Sequence, residues 1–169
     1  MKVNVSQVRR LVGETFRYQL TEDFPPFTFG TDAIAFTAPV HVDLRLTNTG
    51  PVLVAQGTVS TCLQVSCCRC LDEFVYPLEF TYEDEWVYAP QATAEQAETA
   101  LVFDKDELEL GERIFEQIIL ALPMKFICSP DCQGLCLVCG QNLNRSKCRC
   151  ETVPVDPRLA ELANWQNRE

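Results

Sequence analysis

The chain has 169 residues, 47% of them hydrophobic and 22% charged, and its 14 Lys and Arg against 24 Asp and Glu give a formal net charge of -10. That length and apolar content suffice for a folded core and exclude a disordered acidic tail, and no run approaches the roughly 18 apolar residues of a membrane span. The acidity argues against a protein that wraps a long stretch of nucleic acid.

The charge is uneven. Residues 1–70 sum to +1, residues 71–123 to -12 with only two basic groups, residues 124–150 to +3 and residues 151–169 to -2. One middle segment therefore holds the acidity, and a small cysteine-rich segment is locally basic.

Residues 1–13 alternate Val with Asn, Ser and Arg and have no continuous apolar stretch, so a secretory signal is not expected. Phe16, Tyr18 and Leu20 suggest a first strand, and Ile34 and Phe36 another. Val40, Val42, Leu44 and Leu46 alternate with polar residues, which predicts a strand with one buried face. Asn48-Thr49-Gly50-Pro51 reads as a turn. An apolar run at Val52–Ala55 and an alternating run from Val59 to Val65 follow, and a β-rich stretch from Phe74 to Tyr88 has Phe74, Tyr76, Leu78 and Phe80 on one face. This makes five or six strands joined by short turns.

Residues 89–100 are small and polar and read as a loop with a weak helical turn. Residues 104–109 read as a solvated acidic run. Ile114, Phe115, Ile118, Ile119 and Leu122 recur at helical spacing and predict a helix over about 112–122, stopped by Pro123. Asp156 as N-cap and Pro157 at the first helical position predict a last, short helix, with Leu159, Leu162 and Trp165 on one face.

Ten cysteines carry the chemistry. Cys67 and Cys70 form a C-x2-C after a strand, a spacing that points two sulfurs at one ion; alone it also fits a redox pair or two buried thiols. Cys128, Cys132, Cys136, Cys139, Cys148 and Cys150 then fall within 23 residues, far above background. Gly140 after Cys139 relieves the turn of a zinc knuckle, and Cys148 and Cys150, two apart, face the same side of an extended segment. Asn142, Asn144 and Ser146 suit a hairpin tip. Clustered cysteines in a reducing cytoplasm are metal ligands more often than disulfides.

A structural zinc takes four ligands. Cys136, Cys139, Cys148 and Cys150 form one natural set. Cys67, Cys70, Cys128 and Cys132 form a second, which would clamp the ribbon to the β-domain. Cys62 and Cys68 are left without a metal role. The expectation is two Zn²⁺ per chain, with a single ion in the ribbon as the alternative. Cys132-x3-Cys136-x2-Cys139 also matches the spacing of iron–sulfur radical enzymes, but no βα repeats follow it.

No catalytic constellation is expected. The single histidine, His41, reads as a solvent-facing strand residue, and no nucleophile elbow, P-loop or dinucleotide fingerprint occurs. Glu83, Asp84 and Glu85 read as a solvated acidic edge.

Cys67-Cys-Arg-Cys70-Leu-Asp-Glu-Phe74 is similar to the signature C-x-R-C-L-E-x-F of the YceD family, named for large ribosomal RNA subunit accumulation. Glu116-Gln-Ile-Ile-Leu-Ala-Leu-Pro123 resembles that family's helix before the cysteine segment. Cys132-Gln-Gly-Leu-Cys136-Leu-Val-Cys139-Gly-Gln-Asn-Leu-Asn144, Cys148-Arg-Cys150 and Asp156-Pro-Arg158 resemble the form with a cysteine-rich C-terminus. Leu137, where that form has Pro, and Cys68 are departures. The resemblance implies a part in accumulation or processing of large-subunit ribosomal RNA, and the family's gene commonly neighbours that of a small zinc-binding ribosomal protein.

The fold expected is α+β: a β-rich domain over 1–122, an antiparallel sheet (open or barrel-like) with a packed helix, then a zinc-ribbon-like segment over 123–155 and a helix over 156–169. The function expected is that of a cytoplasmic, non-catalytic zinc protein that binds a basic ribosomal protein or pre-ribosomal particle, without a membrane. Arg145, Lys147 and Arg149 are candidates for a ribosomal RNA contact, or cations that compensate the negative metal sites. An enzyme that binds or processes ribosomal RNA is the alternative.

Overall fold

A computed structural model describes residues 1–150 and Arg158. The terminal helix expected over 156–169 lies outside these residues. Two compact units are present: one combines Met1–Val65 with Glu73–Phe126, the other Ser66–Asp72 with Ile127–Glu169.

The first unit is mostly strand. Its elements are β1 (Lys2–Asn4), β2 (Thr15–Glu22), β3 (Phe27–Phe29), β4 (Asp32–Phe36), β5 (Val40–Asn48), β6 (Leu53–Ser66), β7 (Glu73–Tyr88), α1 (Ala94–Thr99), β8 (Leu101–Phe103), β9 (Glu107–Glu109) and α2 (Gly111–Ala121). A seven-stranded sheet runs β2-β5-β6-β4-β3, with β7 joining β6 to β8. It is open: among the described residues β2 pairs only with β5, and β8 only with β7, so no barrel closes. The β2–β5 and β5–β6 pairs are antiparallel, and β8 lies parallel to the end of β7.

The alternation in β5 does what its spacing predicts: Val40, Val42, Leu44 and Leu46 are buried and the residues between them face out. The two apolar runs after the turn are one strand, β6, rather than two. Gly57, which interrupts the pattern, stands on the buried face because the Tyr82 ring occupies the space of a side chain there. A Cβ on Gly57 would lie 2.3 Å from Tyr82 Cε1. Asn48, expected in an exposed turn, is buried; its amide donates to the Val8 and Arg9 carbonyls at 2.8 and 3.1 Å. It thereby satisfies a 3-10 turn at Val8–Arg10 that the sequence pattern does not reveal.

Helix α2 presents Ile114 and Ile118 to the core, with Leu122 just beyond its end. Its Phe115 ring packs against Phe24 and Phe27 at centroid distances of 6.0 and 5.1 Å. The acidic run at 104–109 is not simply solvated. Its Glu107–Glu109 segment is β9, paired antiparallel with β1, and Leu108 is fully buried. Glu107 and Glu109 flank Lys2 across that ladder, and Asp106 pairs with Arg9. In 89–100 the expected helical turn is α1, started by a capping box between Thr93 and Gln96.

The expected acidic edge at 83–85 needs a correction. Glu83 and Glu85 are exposed, but Asp84 points inward and is buried. It takes a two-pronged hydrogen bond from Arg113 of α2, at 2.7 Å from Nη2 and 3.0 Å from Nε. Arg113 also reaches Glu116 at 2.9 Å. The bonds with Asp84 raise the Arg113 pKa further above its usual value, so the guanidinium is a permanent partner for the buried carboxylate.

Two substitutions test this packing. Gly57→Ala should destabilise the first unit by about 1–3 kcal/mol, since Tyr82 must be displaced. Asp84→Ala should cost about 1.5–3 kcal/mol through the lost charge-assisted hydrogen bonds. Denaturant unfolding of each variant beside the parent chain measures both, and a midpoint unchanged in either case contradicts the account given for it.

Candidate metal centres

The second unit is built around sulfur. Cys67, Cys70, Cys128 and Cys132 converge so that their Sγ atoms all lie within 4.8 Å of one another, and Cys136, Cys139, Cys148 and Cys150 do the same. Both groups lie wholly inside this unit. The first group joins the loop between β6 and β7, at Cys67 and Cys70, to the segment that carries Cys128 and Cys132.

The chain reaches both groups by the same local device. In Cys67–Leu71 the Leu71 N–H donates to the Cys67 carbonyl at 2.9 Å, and the Arg69 N–H donates to Cys67 Sγ at 3.4 Å. The Cys67 N–H closes the loop on the Asp72 carbonyl at 2.9 Å. In Cys136–Gly140 the corresponding bonds run from Gly140 to Cys136 at 2.8 Å, from Val138 to Cys136 Sγ at 3.4 Å, and from Cys136 to the Gln141 carbonyl at 2.8 Å. Both loops end on a residue with positive φ, 72° at Gly140 and 61° at Leu71. Gly140 adopts this freely; Leu71 pays roughly 1–2 kcal/mol for it. The glycine is the sequence signal of a knuckle, and its lack after Cys70 hides the equivalence of the first loop.

The spacing of the sulfurs fits one ion. Cys67 and Cys132 Sγ are 3.8 Å apart and Cys70 and Cys128 Sγ 3.7 Å, too far for disulfides, and all ten cysteines are free thiols. Four sulfurs at about 2.3 Å from a tetrahedral ion stand about 3.8 Å from one another. Cys62 and Cys68 lie outside both groups. Cys132 belongs to one group, and Cys136 and Cys139 to the other, so the iron–sulfur spacing noted in the sequence is not assembled.

Burial opposes ionisation of Cys67, but N–H donors from Cys128, Cys70 and Arg69 outweigh it and bring the thiol down to about 6. The Cys139 and Val138 N–H groups bring Cys136 to about 6. The Asn144 amide, 3.3 Å from Cys132 Sγ, lowers that thiol too. Their partners respond in the opposite sense: burial and the neighbouring thiols push Cys128 up to about 12, and the Cys139 sulfur, with burial, pushes Cys150 up to about 12. Each group thus holds a thiolate already favoured by the fold and others that ionise only when a cation offsets their mutual repulsion.

Polar side chains brace the unit. Asp72 accepts from Asn142 and Arg145, each at 2.8 Å, and the Gln133 N–H donates to Asn144 at 2.8 Å. Asn142 opens the expected turn and Asn144 lies within it, its N–H donating to the Asn142 side chain at 3.0 Å, and among the described residues a bridge joins Asn142 to Leu135. Arg69 donates to the Cys132 carbonyl at 3.0 Å. Of the residues considered for RNA contact, Arg145 is engaged by Asp72, whereas Lys147 and Arg149 are exposed with no partner among the described residues.

Each four-cysteine group can hold a metal ion, and its hold should depend on pH. The folded-state pKa values of Cys67 and Cys136 are depressed, so their thiolates persist above about 6 and are protonated below it. Because protons compete with the ion for the thiolates, and the ion holds them ionised further still, a metal-loaded chain should keep its ions at neutral pH, release them progressively only at pH values well below 6, and take them up again on neutralisation. A chromogenic metal indicator reads the release, and ions fully retained at pH 4 contradict this account.

Comparison with known proteins places these features in a family. The family model described as "Large ribosomal RNA subunit accumulation protein YceD" matches residues 55–165, which include all eight clustered cysteines. The uncharacterized protein Rv2926c of Mycobacterium tuberculosis is 29% identical over 174 residues, covering 100% of this chain and 83% of that protein. The uncharacterized protein YlbN of Bacillus subtilis is 23% identical, covering 96% and 94% of the two chains. Large ribosomal RNA subunit accumulation protein YCED homolog 1, a chloroplastic protein of Arabidopsis thaliana, is 34% identical over 62 residues, 37% of this chain and 19% of that protein. No solved structure matches. With the match spanning both cysteine groups and most of the chain, this protein belongs to the YceD family of large ribosomal RNA subunit accumulation proteins.

Proposed function

We propose that the chain is a non-catalytic zinc-binding accessory protein that supports large-subunit ribosomal RNA accumulation by binding a basic ribosomal protein. The observation that carries the zinc assignment is the pair of four-sulfur groups, each with its Sγ atoms within 4.8 Å of one another and the first with two sulfur pairs at 3.7 and 3.8 Å. All-thiolate, four-ligand sites suit Zn²⁺, and such sites are coordinatively closed, which favours a structural role over a catalytic one. His41, the single histidine, bonds Thr21 on the exposed face of the sheet at 3.0 Å and has no acid–base partner there. The -12 segment favours a cationic partner, since complementary charge speeds encounter and rejects acidic competitors. No helix among the described residues is long and apolar enough to cross a membrane, and reduced thiols suit the cytoplasm.

Metal analysis of the purified chain should give two zinc ions. Affinity capture from cells, repeated at low and high salt, should recover a basic large-subunit ribosomal protein whose yield drops at high salt. The drop should be reproduced by neutralising Glu79 and Glu85, which are exposed on β7. Cleavage of precursor ribosomal RNA by the pure protein, abolished by one point mutation, would overturn the non-catalytic reading.

A further inference from the structure

The exposed face of the seven-stranded sheet carries an open cavity of about 1010 Å³, reached by side chains of β2, β5, β6 and β7. Its most unusual feature is a like-charge pair. Arg17 and Arg45 stand directly opposite each other on the antiparallel β2 and β5, and Gln56 stands opposite Arg45 on β6. Like charges at directly opposed positions destabilise a sheet. Two carboxylates line the same cavity and could neutralise them, but both are otherwise engaged. Asp43 accepts from the Gln19 amide at 3.1 Å, and Glu83 from the Gln56 amide at 2.8 Å. Among the described residues neither guanidinium has an ion-pair or hydrogen-bond partner, and both residues are exposed.

Two adjacent guanidinium groups with unspent N–H donors match an oxyanion that can accept from both at once. A phosphate group, with oxygens directed to several sides, does this better than a planar carboxylate, which one fork satisfies. The remaining lining also discriminates. Its exposed residues are Gln19, Gln56, Thr81 and the two carboxylates, and its two tyrosines, Tyr18 and Tyr82, are half-buried and buried. Hydroxyl and amide groups beside the arginines suit sugar and phosphate rather than base edges.

We propose that this cavity binds phosphate groups through Arg17 and Arg45, and that the phosphates are those of an RNA backbone. The identity of the RNA rests on the proposed part in ribosomal RNA accumulation; the phosphate site rests on the sheet alone.

The test uses the full, metal-loaded chain. A labelled ten-nucleotide RNA is titrated by fluorescence anisotropy at several salt concentrations, against Arg17→Gln/Arg45→Gln and Lys147→Gln/Arg149→Gln. The sheet variant should lose at least tenfold in affinity and about one unit of salt slope, as two phosphate contacts disappear. The ribbon variant should stay near the parent value. The sheet variant should melt no lower than the parent, because a repulsive pair has been removed, so lost binding cannot be ascribed to unfolding. Inorganic phosphate and AMP are titrated in parallel by NMR. Saturable shifts of Arg17 and Arg45 with these, without tighter binding of the RNA, would assign the site to a free phosphate ligand and overturn the RNA assignment. RNA binding that survives in the sheet variant, or displacement of RNA from the arginines by an oligoglutamate peptide, would overturn the proposal. None of these outcomes depends on capture of a basic protein, so the two readings can fail separately.

Discussion

Everything in the smaller unit depends on what neutralises its sulfur. Among its described residues the buried ones are Cys67, Cys70, Cys132 and Gly134, with no buried aliphatic or aromatic side chain. Among the described residues, apolar burial therefore offsets little of the conformational entropy of ordering them. What it has instead is eight thiols gathered into two points, an arrangement that is unfavourable without a cation and strongly favourable with one. The knuckle hydrogen bonds, the Asp72 contacts and the Asn144 amide are then secondary devices. They hold the sulfurs at a spacing from which a metal ion could be bound.

The larger unit solves the opposite problem. It has a continuous apolar core, with Leu44, Leu46, Leu63, Ile114 and Ile118 fully buried, and no metal is needed to hold it. Its specificity comes from a few positions where that core is interrupted. Gly57 makes room for Tyr82, Asn48 satisfies the carbonyls of an isolated turn, and Asp84 sets α2 against β7 through Arg113. A buried carboxylate is a poor source of net stability. Its value here is positional, because only one rotation of α2 presents Arg113 to Asp84 while Ile114 and Ile118 face the core.

These differences explain what could be read in the sequence. Long strands with strict alternation, such as β5 and β7, and the helical stripe of α2 are local patterns and were visible. The natural set Cys136, Cys139, Cys148 and Cys150 was suggested by its spacing, but spacing alone left the pairing of the clustered cysteines open, and it is their convergence in space that separates two groups. The short strands β1, β8 and β9 were not visible, since three residues carry no period, and β1 and β9 also pair across about a hundred positions. Asp84 looked solvated because its neighbours are acidic; only the strand register turns it inward. Leu71 concealed a positive φ that a glycine would have announced. The open form of the sheet depends on which strands pair at its ends, a long-range property that alternation does not encode.

The charge of the chain acquires a physical meaning from this arrangement. Filling both four-thiolate sites with divalent ions adds about two negative charges per site, so metal makes an acidic chain more acidic. Basic groups near the sulfur are partly committed to that charge: Arg69 to a carbonyl of the first site, Arg145 to Asp72. The acidic side chains of the middle segment are likewise partly spent, Asp84 on Arg113, and Glu107 and Glu109 on Lys2. What stays uncommitted is narrower than net charge suggests: the exposed Glu79 and Glu85 of β7, and two arginines on the sheet whose neighbouring acids are held by glutamines. A protein with both can engage a cationic protein and an anionic backbone on separate groups. That is what the two proposed contacts, with a basic ribosomal protein and with an RNA backbone, would require of one chain.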